Sequence, residues 1–175
     1  MPNITLVGFM GTGKTSVGKR LAREMGLRFL DMDYLIEKEA GLPVSEIFSK
    51  SGEGGFRLLE KDAVRKLTSG VYGSGIVVAA GGGAVSDAEN RRALRQWSVV
   101  ICLTASVDEI LKRAGNNDER PLLNTPDRRK TVLALLEKRE GAYRDSDFTV
   151  DTTGIGINEA VSAIKAFLDK KASSG

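Results

Sequence analysis

The sequence predicts an α/β fold: an open, doubly wound parallel sheet in three layers, with helices on both faces. Three observations predict it. Five short apolar runs recur along the chain without polar alternation, the pattern of strands buried on both faces. Stretches of helical periodicity separate them, which gives the βαβα order of such sheets. Glycines stand directly behind two of the runs, at Gly8 and at Gly81, where a strand must turn toward a helix.

The elements follow in order. Ile4 to Val7 is the first run and ends in a glycine loop. Val17, Leu21 and Met25 repeat at helical spacing behind it. Phe29-Leu30 leads into Asp31. Ile76 to Ala80 leads into Gly81-Gly82-Gly83, and Ser86-x-x-Glu89 reads as a capping box for the next helix. Val99 to Leu103 is the fourth run. Ser106-x-x-Glu109 is a second capping box, ahead of the stripe Val107, Ile110, Leu111 and Ala114. Thr125-Pro126 places a candidate N-cap before proline at the first helical position. Phe148-Thr149-Val150 is the fifth run, followed by Val161, Ile164, Phe167 and Leu168 on one stripe. No internal repeat, linker or low-complexity tract interrupts the 175 residues, so 1–175 reads as a single domain.

Composition narrows the chemistry. Histidine is absent, which excludes Ser–His–Asp and Cys–His triads and His-ligated zinc. The single cysteine, Cys102, excludes an intrachain disulfide and a Cys-only metal cluster. A reducing, cytoplasmic compartment fits, and the start of the chain carries neither a basic n-region nor a long apolar stretch. The net charge of +3 is too small for a nucleic-acid binder and suits an anionic substrate. No membrane association is expected.

The strongest motif is Gly8-Phe9-Met10-Gly11-Thr12-Gly13-Lys14-Thr15, which matches G-x-x-x-x-G-K-[ST] between a predicted strand and a predicted helix. In such a loop backbone N–H groups surround phosphate oxygens and the helix N-terminus adds its dipole. Gly11, Thr12, Gly13, Lys14, Thr15 and Ser16 are therefore the candidate nucleotide contacts. Lys14 is expected to reach the β- and γ-phosphates of ATP, and the Thr15 hydroxyl to ligate Mg²⁺. The alternative is a glycine-rich turn with a chance Lys-Thr. The loop's place so early in a short chain favours a small kinase over a motor or a GTPase.

Asp31-Met32-Asp33 stands at the end of the second run, on the edge where ligands bind in parallel sheets. One carboxylate can hold a metal through water and the other can orient an attacking hydroxyl. The bland reading is that Asp33 caps the helix starting at Tyr34. Gly81-Gly82-Gly83 lets backbone approach a ligand, where a simple turn would need one glycine. Arg57 is either a ligand or a surface partner of Glu60 at i, i+3. Arg139 falls on the apolar line of Leu135, Leu136 and Tyr143, so it snorkels or points into a site. Two convergent arginines suit a carboxylate. Gly115 to Pro126 is polar and rich in breakers, and reads either as a solvated connector or as a mobile lid that brings Arg120.

Taken together these motifs resemble the shikimate kinase family, from Ile4 to about Thr152. The correspondence covers the phosphate loop, Asp31-x-Asp33, Phe56-Arg57-x-x-Glu60, the triple glycine, Arg120-Pro121-Leu122-Leu123, and Arg139-x-x-x-Tyr143. The resemblance implies a P-loop NTPase fold of the nucleoside-monophosphate-kinase type, with a five-stranded parallel sheet and a mobile lid over about 114–126. It implies transfer of the γ-phosphoryl group of ATP to the 3-hydroxyl of shikimate, in aromatic amino-acid biosynthesis. It further implies an acceptor-binding region over about 33–60. Asp33 would hold the acceptor hydroxyls; Arg57, Gly81, Gly82, Gly83 and Arg139 would surround the acceptor, the arginines on its carboxylate. Asp31 would sit near Mg²⁺ through water, Arg113 along the adenine, and Lys14, Asp33 and Arg120 would carry the catalysis. A monomer is expected. The sequence departs from the family at Gly141, at Arg144 to Asp147 and at Thr153 to Gly156. The other readings are a different small-metabolite P-loop kinase, such as a gluconate kinase, a nucleoside-monophosphate kinase, and a nucleotide-binding regulator without catalysis.

Overall fold

A computed structural model describes residues 2–115 and 121–173. Five parallel strands form one sheet: β1 (Asn3–Val7), β2 (Arg28–Asp31), β3 (Ile76–Ala79), β4 (Ser98–Thr104) and β5 (Phe148–Asp151), in the spatial order β2-β3-β1-β4-β5. All five apolar runs are strands, each bounded within one residue of its expected limits.

The pleat sends alternate residues to opposite faces, and this makes the three layers. On β4, Val99, Ile101 and Leu103 join one core cluster with Ile4 and Leu6, while Val100 and Cys102 join the other with Val78. The first cluster is closed by α1 (Lys14–Met25) and α7 (Ile157–Ser173), through Val17, Leu21, Val161 and Ile164. The second is covered by α2 (Met32–Ala40), α3 (Val44–Thr68), α4 (Ala88–Trp97), α5 (Val107–Ala114) and α6 (Arg128–Arg144). The long α3 is interrupted by non-helical dihedrals at Gly52 (φ 65°, ψ −176°).

Of the expected caps, Ser106 holds: its hydroxyl accepts from Glu109 N. Two others are corrected. Ser86 ends a 3₁₀ turn over Ala84–Ser86, and Asp87 caps α4 by accepting from Glu89 N and Asn90 N. Thr125 spends its hydroxyl on that of Thr131, at 2.8 Å, and Asp127 caps α6 through Lys130 N.

At the described ends of the segment expected as a lid, Ala114 is the last residue of α5 and is buried, and Leu123 belongs to the core. Arg120 lies outside the described residues.

The register sets the site. Asp31 pairs with Ala79, Leu6 with both Ala79 and Ile101, and Val7 with Cys102. The carboxyl ends of β1, β2 and β3 therefore lie side by side, and the loops behind them share one crevice. No helix among the described residues is long and apolar enough to cross a membrane.

Candidate active site

The phosphate loop runs from Gly8 into α1. Gly8 has φ 135°, and a Cβ there would collide with the main-chain oxygen of Leu103, so only glycine lets the loop leave β1 against β4. Gly13, at φ 94°, is the N-cap of α1. The first helical N–H groups and the dipole thus face the crevice mouth. Lys14 Nζ donates to Gly8 O at 2.9 Å and to Phe9 O at 3.0 Å, folded across the loop.

The loop borders a cavity of about 890 Å³. Gly11, Gly13, Lys14, Thr15 and Ser16 line it from one side. Thr12 is turned away: it is buried, and its hydroxyl donates to Phe9 O at 2.7 Å, so its side chain does not face the crevice. Arg113 reaches the same rim from α5. Its guanidinium donates to Thr152 O at 2.7 Å and to Thr152 Oγ1 at 2.9 Å, and pairs with Glu109 at 2.8 Å.

Asp31 joins the two halves. Its Oδ1 accepts from Asp33 N at 3.1 Å, which makes Asp31 the N-cap of α2. Its Oδ2 accepts from Thr15 Oγ1 at 2.9 Å. The capping role weighed for Asp33 thus falls to Asp31, and the Asp33 side chain is left facing the cavity. Asp33 is exposed, and it lines the cavity. Desolvation raises its pKa, the neighbouring Asp31 raises it further, and Lys14 and Arg57 pull the other way.

Thr15 and Asp31 are hard oxygen donors beside the phosphate loop, which suits Mg²⁺. No cluster of three or more His, Cys, Asp or Glu side chains able to hold a metal occurs among the described residues.

The far side of the cavity is cationic and tightly packed. Arg57 Nη1 donates to Glu60 Oε2 at 2.6 Å and Nη2 to Glu53 Oε1 at 3.0 Å. The i, i+3 pairing with Glu60 is real, and Arg57 lines the cavity at the same time. Arg139 is almost fully buried: Nη1 donates to Gly82 O at 3.1 Å, and its guanidinium lies 5.6 Å from the centroid of the Phe9 ring. Tyr143 donates its hydroxyl to the same Gly82 O at 2.5 Å, and burial pushes its pKa up to about 12. Side chains at the triple glycine would fill this space. A Cβ on Gly81 would stand 2.5 Å from Glu60 Oε1, and one on Gly83 would stand 2.6 Å from Arg57 Cζ.

The sequence points to Glu60 only as a partner of Arg57. It is 1% exposed, its Oε1 has no hydrogen-bond partner among the described residues, and it lines the cavity. Burial raises its pKa, against the pull of Arg57. Its place in Phe56-Arg57-x-x-Glu60 was the signal available in the sequence.

Residues 10–169 match the family model described as Shikimate kinase. The shikimate kinase of Geobacter sulfurreducens is 48% identical over 166 residues, covering 95% of this chain and 90% of its own. A solved structure of the Acinetobacter baumannii shikimate kinase in complex with shikimate superposes with a TM-score of 0.93, at 37% identity, covering 98% of this chain and 94% of that one. A gluconokinase from Sinorhizobium meliloti reaches a TM-score of 0.61 at 19% identity, covering 99% of this chain and 94% of that one, a likeness of fold alone.

Proposed function

The chain belongs to the shikimate kinase family, and on that premise we propose how its own residues carry the reaction. It is an ATP- and Mg²⁺-dependent kinase that transfers the γ-phosphoryl group of ATP to the 3-hydroxyl of shikimate, giving shikimate 3-phosphate and ADP. The gluconate-kinase alternative has only the shared fold behind it.

The observation that supports the residue assignments is one cavity lined by Lys14 and Thr15 of the phosphate loop and by Asp33, Arg57 and Arg139. Phosphoryl transfer asks a protein for positioning and charge stabilisation more than for covalent chemistry. On our reading the loop amides and Lys14 take the phosphates. In that case Lys14 leaves the carbonyls of Gly8 and Phe9 for the β- and γ-oxygens. Thr15 and Asp31 would hold Mg²⁺, Asp31 through water, and the ion would supply positive charge beside the phosphates. Arg57 and Arg139 bind the acceptor carboxylate, and the triple glycine brings main chain close to the ring. An Asp33 carboxylate oxygen receives the proton of the attacking hydroxyl, a task that a raised pKa favours. Arg113 lies along the adenine. Arg120 is assigned the charge of the transferring phosphoryl group, carried by a lid over about 114–126. We read residues 1–175 as one kinase domain, monomeric and cytoplasmic, with a small-molecule acceptor and no nucleic-acid or membrane partner.

A coupled ADP-release assay with shikimate, gluconate and nucleoside monophosphates as acceptors tests the reading. Turnover confined to shikimate is the expected result; preference for either of the other acceptors overturns it.

A further inference from the structure

Thr152 follows β5 directly, and its hydroxyl stands at a junction of four segments. The side chain is 4% exposed. Its oxygen accepts from Arg113 Nη1 at 2.9 Å. Its one proton faces two carbonyls, Thr104 O at 2.9 Å and Thr12 O at 3.1 Å. Thr104 O also accepts the Thr152 main-chain N–H at 2.9 Å, so a hydroxyl proton directed to Thr12 O leaves neither carbonyl without a donor.

Thr12 lies inside the phosphate loop. In a trans peptide the C=O and the following N–H point in opposite directions. Holding Thr12 O against β5 therefore turns the N–H of Gly13 the other way, to the side where Gly13 lines the cavity with Lys14. The same hydroxyl ties down Arg113, whose Nη1 also reaches Gly11 O at 3.4 Å. The outer wall of the loop is thus pinned to the end of β5.

We propose that Thr152 is a positioning residue for the nucleotide phosphates: its hydroxyl fixes the Thr12–Gly13 peptide so that the Gly13 N–H already faces the phosphate when the nucleotide arrives. A donor oriented in advance costs less ordering on binding. The proposal rests on the assignment of Gly8 to Thr15 as the phosphate loop.

The test is ADP binding by titration calorimetry, with shikimate binding and thermal unfolding measured in parallel, on Thr152→Val, Thr152→Ser and Lys14→Ala. Thr152→Val keeps the shape and removes the hydroxyl. It is expected to weaken ADP by roughly tenfold, the usual worth of a buried hydrogen bond left half-made, with shikimate affinity within about twofold of wild type. Thr152→Ser is expected to restore ADP binding, which a purely packing role of the methyl group would not do. Combined with Arg113→Ala, Thr152→Val must still cost ADP affinity; no added loss there means Thr152 acts through Arg113 alone and overturns the proposal. So do near-wild-type ADP binding in Thr152→Val, equal loss of ADP and shikimate, and failure of serine to rescue. Should the valine variant not fold, Thr152→Ala carries the same comparison. Lys14→Ala separates the two levels: if it binds ADP as wild type does, the loop assignment itself fails, whereas loss in Lys14→Ala with none in Thr152→Val sinks only the role of Thr152.

Discussion

Glu60 Oε2 accepts from Arg57 Nη1 at 2.6 Å, while Glu60 Oε1 faces the Gly81 turn with no hydrogen-bond partner among the described residues. One buried carboxylate thus aims a substrate-facing arginine and carries an uncompensated oxygen. Burial raises its pKa, so the protonated form is the one the fold favours. The stability this group contributes is present below its unfolded value and is lost as pH rises through the raised folded value. Glu60→Gln mimics the protonated form. The melting temperature of the variant minus that of wild type is therefore expected to increase from about pH 4 to about pH 7. Shikimate affinity should fall by roughly tenfold as Arg57 loses its charged anchor. A melting difference that shrinks over this range would show that Glu60 stabilises as an anion.

Arg57→Ala and Arg139→Ala are expected to weaken shikimate binding by roughly thirtyfold or more, since truncating one partner of a buried charged pair costs about 2–5 kcal/mol. ATP binding should change little in either. Arg139 also holds Gly82 O and packs on Phe9, so its variant should unfold at a lower temperature than that of Arg57. Equal loss of ATP and shikimate affinity in equilibrium titrations would refute the assignment.

Asp33→Asn keeps shape and removes charge. Its kcat should drop by about a hundredfold or more, the range of general-base contributions, with ATP affinity retained. In wild type, kcat/KM for shikimate should rise with pH along an acid limb whose midpoint lies above the ordinary aspartate value of 3.8, because desolvation favours the protonated carboxyl. Turnover in Asp33→Asn within a few-fold of wild type would leave Asp33 without a catalytic role.

Thr15→Val removes one oxygen of the Thr15–Asp31 pair and leaves the Asp31 cap on α2 intact. The Mg²⁺ concentration for half-maximal rate should increase by roughly tenfold, with shikimate affinity unchanged. Chelation of Mg²⁺ should stop turnover of the wild-type enzyme. An unchanged Mg²⁺ dependence in the variant would move the ion away from Thr15.

Arg120→Ala should lose at least about two orders of magnitude in kcat, with shikimate Kd shifted only modestly, because arginine help in phosphoryl transfer arises in the transition state. Single-turnover transfer measured beside equilibrium binding separates the cases. A normal transfer rate with a large loss of shikimate affinity would make Arg120 an acceptor ligand.

The strands were legible because burial on both faces leaves an unbroken apolar run, and the phosphate loop because its glycines, lysine and threonine act through local geometry. Arg139 was legible for a related reason: a charge on the apolar line of a helix needs an explanation, and Gly82 O supplies it. Less was legible where neighbouring candidates compete. Ser86 and Asp87 both suit an N-cap, and the 3₁₀ turn that uses up Ser86 depends on the packing of Ala84 and Val85. Asp31 and Asp33 likewise compete for the start of α2, and the bond from Thr15, sixteen residues away, goes with the choice. The burial of Glu60 could not be read from α3 at all, because the main chain that encloses it arrives from the end of β3. Nothing in the sequence around Thr152 points to its hydroxyl, since the carbonyl it holds belongs to a loop 140 positions earlier.

β1 lies between β3 and β4, with Ile4 opposite both Val77 and Val99. During synthesis β1 is made long before either neighbour. Its apolar residues find one edge when β3 emerges and the other only when the chain through Thr104 has left the ribosome. Loops that large close slowly, and unpaired parallel edges invite wrong partners in the meantime. A nascent chain arrested before β4 should therefore bind no nucleotide and should recruit chaperones, whereas one extended past β4 acquires the framework on which the loop can set.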